Sequence, residues 1–498
     1  MGRCDPKRQH HHLACIPGDL QLNSTEQQAQ VANADEAISL TSRLSQFVAD
    51  FKPGTIPGEV LEHATKAIVD TIGCSLAGSH ADVAAPLMAY LQASGASGGS
   101  PIIGHPSVTA PAEMAALVNG TFAHALDYDD VLSIMPAHPS AVVLPALLAC
   151  RSGITGRSGL EFLQAYVVGI EVGARVGLAI GHGHYRRGWH ATSTLSVFSA
   201  IGALAKIMQF DSHTTATAFG LGASMAGGLQ RNFGTMAKPL HAGLAARAAI
   251  TAVNLARSGL TANLEVLDGQ AGFLAVYGTD YSNASRGLRN ENTPLAALNP
   301  GLSLKKYPCC YALHRQIEAA LELREKLGLN GNNLAKMVCR VAPETMRPLR
   351  QELPNTGLEA KFSMPYTVAA CICDGSIGLH SYTDEAVNNP NVREVMGRVE
   401  CIVDPACVGD DGAAMSKSGG TIGFVELTAT RSDNQTATRQ RRAAPGSREQ
   451  PLSWQEVESK FLDCAKEGKI SPQSAAALFS KWRKLSSCGN IDKLLSVL

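Results

Sequence analysis

Residues 159–181 read "GLEFLQAYVVGIEVGARVGLAIG". Wound as a helix, this stretch is apolar over most of its circumference, and only Glu161, Glu171 and Arg175 interrupt it. Those charges leave it short of the roughly 18 uninterrupted apolar residues that a membrane helix needs. A helix that is apolar nearly all round belongs at the centre of a large helical body.

The neighbouring segments read the same way. "GEVLEHATKAIVDTIGCSLAG" places Val60, Ala64, Ala67, Ile68 and Ile72 on one stripe and ends in glycine. "STLSVFSAIGALAKIMQF" and "LHAGLAARAAITAVNLARSGL" follow, rich in Ala and Gly, and small residues let helix axes approach closely. After Gly301 the texture changes. "AKMVCRVAP", "RVECIVD" and "GGTIGFVELTAT" are β-branched candidate strands, separated by helices at "HRQIEAALELREKLG" and "PYTVAACICDG". "RSDNQTATRQRRAAPGSREQ" reads as a polar linker, with Arg439, Arg441 and Arg442 on a solvated loop. Amphipathic helices return at "SWQEVESKFLDCAKEG" and "SPQSAAALFSKWRKL", with Ser453 and Ser471 as N-caps and Glu456 completing a capping box.

The predicted class is mainly α: a large all-helical domain over residues 35–301 and a smaller α+β domain over 302–445. Helices over 446–498 return to the helical domain, and the polar run 1–34, with His10 to His12, is a disordered tail. The chain of 498 residues is 45% hydrophobic and 17% charged, with net charge +0. So low a charge implies large buried surfaces, a subunit interface among them. No basic excess draws the chain to nucleic acid or an anionic membrane. Thirteen cysteines without paired Cys-x-x-Cys units read as reduced thiols of an intracellular protein. The N-terminal run lacks the apolar core of a secretory signal and the C-terminal "SVL" is no peroxisomal address, so a cytoplasmic location is expected.

Three stretches share one grammar. In "PAHPSAVVLPALLAC", His138 precedes Pro139; in "MAKPLHAGLAARAA", Lys238 precedes Pro239; in "GWHATSTLSVF", His190 precedes Thr192 and Ser193. An apolar run follows each. Proline favours the first helical position and pushes its predecessor out of the α region. His138 and Lys238 are therefore predicted at helix N-termini, and His190 within about a turn of one. Helix N-termini suit carboxylates and phosphates, so three such ends make an anion site if the fold brings them together; otherwise each is an ordinary helix start.

"HALDYDDVLS" offers Asp127, Asp129 and Asp130, which could bind a metal, orient a histidine or serve as caps. They lack zinc-site and EF-hand spacing. His182 and His184 in "GHGHYRRG" read as a solvated loop, and His241 as a core or supporting histidine. "LKKYPCCYALHRQ" supplies Lys305 and His314, and "AKFSMPYTVAACICDG" supplies Lys361 and Tyr366; from the residues alone Tyr366 is a core tyrosine with a satisfied hydroxyl. Ser97 in "GASGG" matches a nucleophile elbow only formally, since no strand precedes it. No nucleotide-binding glycine motif appears.

Taken in order, "LDYDDV…AHPSAVVLPALLA", "GWHATSTLSVF", "MAKPLHAGLAARAA", "VLDGQAGF", "KKYPCCYALHRQIEAAL" and "AKFSMPYTVAACICDG" resemble the MmgE/PrpD family, from about residue 36 to the C-terminus. Its members include 2-methylcitrate dehydratase and cis-aconitate decarboxylase. The resemblance implies a helical domain with an α+β lid, a homodimer, and an inter-domain site with no metal or organic cofactor. It implies Asp127, His138, His190, Lys238 and Tyr366 as catalytic residues, with Lys305 and His314 binding substrate at the lid side. The expected activity is a cofactor-independent hydro-lyase on a small di- or tricarboxylate. Decarboxylation, isomerisation and a silent carboxylate-binding dimer are the alternatives. Two positions depart from the family pattern: Val131 stands where threonine is frequent, and Cys310 where some decarboxylases carry histidine.

Overall fold

The computed structural model describes residues 39–495 except 53, 55, 280–284, 289–292 and 412–421. The expected tail over 1–34 lies outside the described residues. Gly159–Ile180 forms a helix of 22 residues. It opens on a capping box in which Ser158 accepts the Glu161 N–H and Glu161 accepts the Ser158 N–H, and it closes on Gly181 at φ 69°. By length and composition it could cross a membrane, but nearly all of it is buried inside the protein. Its interrupting charges are paired: Arg175 Nε lies 3.0 Å from Glu171, and Glu171 also accepts the Ala296 N–H at 2.7 Å.

In chain order the helical part comprises α1 (Leu40–Asp50), α2 (Gly58–Gly78), α3 (Ala84–Ala93), a hairpin of β1 (Ser100–Ile102) and β2 (His105–Ala110), α4 (Ala112–His124), α5 (Ser140–Ala149), α6 (Gly159–Ile180), α7 (Ser196–Ile207), α8 (Ser212–Ala223) and α9 (Ala237–Arg257). The hairpin corrects the expectation of an all-helical domain, and Ser97 lies exposed in the loop before it. Small residues do bring helices together. A Cβ on Gly169 of α6 would lie 2.5 Å from the Ser199 carbonyl of α7. A Cβ on Gly243 of α9 would lie 2.1 Å from the Leu117 carbonyl of α4. The second approach matters for the site, because α4 ends just before Asp127 and α9 begins just before Lys238.

The α+β part holds α10 (His314–Leu327), β3 (Leu334–Val341), α11 (Met364–Asp374), α12 (Pro390–Met396), β4 (Val399–Val403), β5 (Val425–Arg431) and β6 (Thr436–Arg441). Its sheet runs β4-β3-β5-β6, with β3 and β4 parallel and the other pairs antiparallel. β6 overturns the linker reading of residues 431–450. "TATRQR" alternates as a strand, the turn before it carries Asn434 at φ 67°, and Arg439 and Arg441 pair with Glu322 on α10. The overlooked signal was this period-two pattern directly after an Asp-Asn turn.

Two cores result. One draws on residues from Leu40 to Leu304 and again from Leu452 to Leu495, and the other on Tyr307 to Ala437. The last helices, α13 (Trp454–Glu467) and α14 (Pro472–Arg483), place Phe461, Phe479 and Trp482 in the first core. Ser453 and Ser471 cap them, with Glu456 completing the box at Ser453.

Candidate active site

The turn after α4 carries Asp127 at φ 52°, in the left-handed region that non-glycine residues rarely adopt. Its Oδ1 accepts the Lys238 ammonium at 2.5 Å and the Lys305 ammonium at 2.9 Å. Burial alone would raise the Asp127 pKa, but Lys238 and Lys305 hold it well below the usual carboxylate range. Its Oδ2 is buried without a hydrogen-bond partner. For Lys305, burial disfavours the charge, yet Asp127 and Asp129 raise its pKa. The Lys238 ammonium is boxed by Phe233 and Phe362, at 5.4 and 4.9 Å from the ring centres.

His138 stands two residues before α5, which begins at Ser140 rather than at Pro139. Its Nδ1 lies 2.8 Å from the Asp130 carbonyl. A carbonyl only accepts, so Nδ1 carries the proton and Nε2 holds a free lone pair, 3.9 Å from Asp127. Burial, then Lys305, His124 and Lys238, lowers the His138 pKa well below its ordinary value. The ring is a neutral base. Asp130 in turn accepts the Ser140 N–H at 3.3 Å and the Ser140 hydroxyl, and burial pushes its pKa up to about 8.

His190 directly precedes the short helix Ala191–Thr194, and its Nδ1 is 3.0 Å from Nδ1 of His241. His241 is thus its hydrogen-bonded support. Lys238 stands at a helix N-terminus, as read from the sequence, but α9 starts at Ala237, so Lys238 lies inside the first turn and Pro239 is not the first helical residue. The proline rule loses here to the rest of the turn.

Asp127, His138, His190, Lys238 and Lys305 line one cleft. The helical part also contributes Val131, His182, Tyr185 and Arg186, and the α+β part contributes Cys310, Tyr311, Glu344, Arg347 and Phe362. At its mouth Glu344 lies 3.3 Å from Arg186 and 3.1 Å from Arg347. Tyr366 and His314 do not line it. The buried Tyr366 hydroxyl donates to the Ser381 carbonyl, as the core-tyrosine reading describes. His314 is fully buried between the rings of Tyr307 and Tyr311. The solvated-loop reading of residues 181–188 is also corrected: His184 is buried, bonded to the Tyr277 carbonyl and to Thr194, and His182 faces the cleft.

Sequence reasoning missed His124, although it opens the stretch that holds the three acids. His124 Nδ1 donates to Asp129 at 2.9 Å, and its ring lies 4.6 Å from that of His138. The signal was a histidine five residues before an acid at a helix end. Ligand atoms of His124, Asp127, Asp129 and His138 all lie within 4.8 Å of one another, close enough to hold a metal ion. Two ammonium groups, those of Lys238 and Lys305, already sit against Asp127 and supply positive charge there.

Buried neutral histidines tie stability to pH. Burial lowers His184 to about 4, so the folded ring stays neutral where the unfolded ring, near 6.5, takes up a proton. Stability is complete above pH 6.5 and is lost as pH falls toward 4, by roughly 3 kcal/mol for His184 alone. Thermal unfolding followed from pH 7 to pH 4 should show a steep fall in Tm across that window. A flat profile would contradict the neutral, buried state.

Among known families, the MmgE/PrpD N-terminal domain model matches residues 42–285 and the MmgE/PrpD C-terminal domain model matches 307–481. The human cis-aconitate decarboxylase is 28% identical over 433 residues, covering 85% of this chain and 87% of the relative. The mouse cis-aconitate decarboxylase is 27% identical over 471 residues, covering 92% and 93%. That of Aspergillus terreus is 25% identical over 392 residues, covering 74% and 79%. With both domain models matched in order across the two cores, the chain belongs to the MmgE/PrpD family.

Proposed function

We propose that this chain is a lyase acting on a small di- or tricarboxylate, and in first place a hydro-lyase of the 2-methylcitrate dehydratase kind. One observation carries the reading: an unprotonated His138 Nε2 opens beside a carboxylate that holds two ammonium groups. Proton removal next to a carboxylate builds charge on that carboxylate, and preorganised cations lower its cost. Lys238 and Lys305 each have N–H groups to spare for it beyond Asp127. His190, braced by His241, is placed to bind a second carboxylate or move a second proton. Tyr366 does not supply the acid. Tyr185 does: it lines the cleft, and burial, with Cys310 and Asp127 next in effect, raises its pKa and keeps it protonated.

A neutral base at rest favours proton abstraction first, which begins a dehydration. Cys310 gives the cleft a thiol, pushed up to about 11 by burial and Asp127, and no imidazolium there. The second reading, decarboxylation, is favoured by the names of the relatives. A homodimer fits the exposed apolar side chains in and beside α9: Leu244 and Leu255 on it, Met236 directly before it, and Leu229 and Leu260 in the adjoining chain.

NMR of the purified protein with 2-methylcitrate, citrate or cis-aconitate, without added metal, separates the readings. Loss of water is the expected result. Loss of carbon dioxide selects the second reading, and binding without turnover selects a carboxylate-binding dimer. Activity that vanished on chelation would overturn the metal-free mechanism.

A further inference from the structure

Three consecutive carbonyls around Asp127 are each taken by a different buried lysine. Lys361 Nζ donates to Leu126 O at 2.8 Å, Lys305 Nζ to Asp127 O at 2.8 Å, and Lys460 Nζ to Tyr128 O at 2.7 Å. None of the three lysines is more than 6% exposed. They arrive from separate places: the turn before α11, the segment before α10, and α13. Two of them hold a second stretch of chain as well. Lys361 donates to Pro308 O at 2.8 Å, and Lys460 to Lys305 O at 2.8 Å. Lys460 also lies 2.7 Å from the fully buried carboxylate of Asp70 on α2 and 3.8 Å from the centre of the Tyr128 ring.

Burying an ammonium is expensive, and a surface lysine would avoid that cost. The catalytic step proposed above uses neither Lys361 nor Lys460. Lys361 holds the peptide directly before a residue at φ 52°, and Lys460 holds the Tyr128 carbonyl, one peptide beyond the Asp127 carbonyl that Lys305 takes. A left-handed aspartate persists only where the surroundings over-determine it. Carbonyls fixed on both sides do this, because rotating Asp127 out of that conformation swings the flanking peptides away from their donors.

We infer that Lys361 and Lys460, the latter with its partner Asp70, are positioning residues that lock Asp127 into its left-handed turn. They thereby set where its carboxylate meets Lys238, Lys305 and His138. The lock joins the α+β part and the C-terminal helices to the one turn of the helical part on which the site depends. Its catalytic consequence rests on the lyase reading, but its geometry does not.

The test uses the full-length protein carrying Asp70→Asn with Lys460→Met, and separately Lys361→Met. Removing both charges of the buried pair avoids stranding one of them, so the double variant should fold cooperatively. A displacement of about 1 Å at a reacting group costs about 10²-fold, so kcat should fall on that scale while KM stays within about threefold. A purely structural role would lower Tm and leave kcat alone at temperatures well below it. Crystal structures of the variants should show Asp127 out of the left-handed region and its ion pair with Lys238 broken. An unchanged Asp127 in the double variant, or a kcat within about twofold of wild type, overturns the inference. If the wild type turns over none of the acids, the lyase reading fails, and the position of Asp127 in the variant crystals alone decides this one.

Discussion

His138→Ala is expected to lower kcat by about 10²–10⁴-fold, the range that a positioned acid or base contributes. The Kd for a carboxylate substrate should stay within about tenfold, because the cations that bind it remain. The assignment follows from hydrogen bonds. Nδ1 is committed to the Asp130 carbonyl, so the proton-accepting atom must be Nε2, which faces Asp127. The wild-type pH profile supplies a second check. The base works only unprotonated, and burial together with Lys305, His124 and Lys238 lowers its pKa. The acidic limb of kcat/KM should therefore lie below the ordinary histidine value of about 6.5. Calorimetric binding and steady-state rates on the same preparation decide the matter. A kcat within about threefold of wild type in the alanine variant would remove His138 from the chemistry.

The helices around this site were legible because their patterns are local. The apolar circumference of Gly159–Ile180 and the stripe of Gly58–Gly78 depend on residues within a few turns, and both became buried helices at those positions. The polar residues entering α5, Ala191–Thr194 and α9 were legible for the same reason, and the fold does bring His138, His190 and Lys238 to one cleft. Their convergence was not readable. It is produced by close approaches such as Gly243 against Leu117, which join segments more than a hundred residues apart.

Side-chain direction was the other illegible quantity. Tyr366 sits at the start of α11, in a sequence context that resembles an active site, but the rotamer that sends its hydroxyl to Ser381 depends on a loop 15 residues away. Nothing in one dimension marks Lys305, Lys361 and Lys460 as buried lysines that meet at one turn. Their burial is decided by carbonyls of the Leu126–Tyr128 turn, which carry no sequence signature. Strand β6 was illegible for a different reason: its alternating side chains are nearly all polar, whereas a strand is ordinarily marked by apolar ones.

Asp127→Asn should cost more stability than any conservative surface change, about 3–5 kcal/mol, because it leaves two ammonium groups facing a neutral amide. Asparagine tolerates the left-handed conformation, so the backbone at φ 52° is not itself the target of the change. The charge is. Lys305 is fully buried, and its pKa stays raised only because Asp127 and Asp129 outweigh the burial that lowers it. Without Asp127 the balance tips, and the protein relaxes by releasing a proton from a lysine or by letting water in. Either route removes cationic charge from the place where a developing carboxylate needs it, so kcat should fall by at least about 10²-fold. Adding Lys305→Met to Asp127→Asn removes one of the two stranded charges, the fully buried one, and should recover part of the lost Tm without recovering turnover. That split distinguishes an electrostatic pair from a packing defect, which the second substitution would only deepen. Tm and kcat measured on wild type, both single variants and the double variant close the cycle, and an Asp127→Asn protein with wild-type Tm would show that the pair contributes nothing.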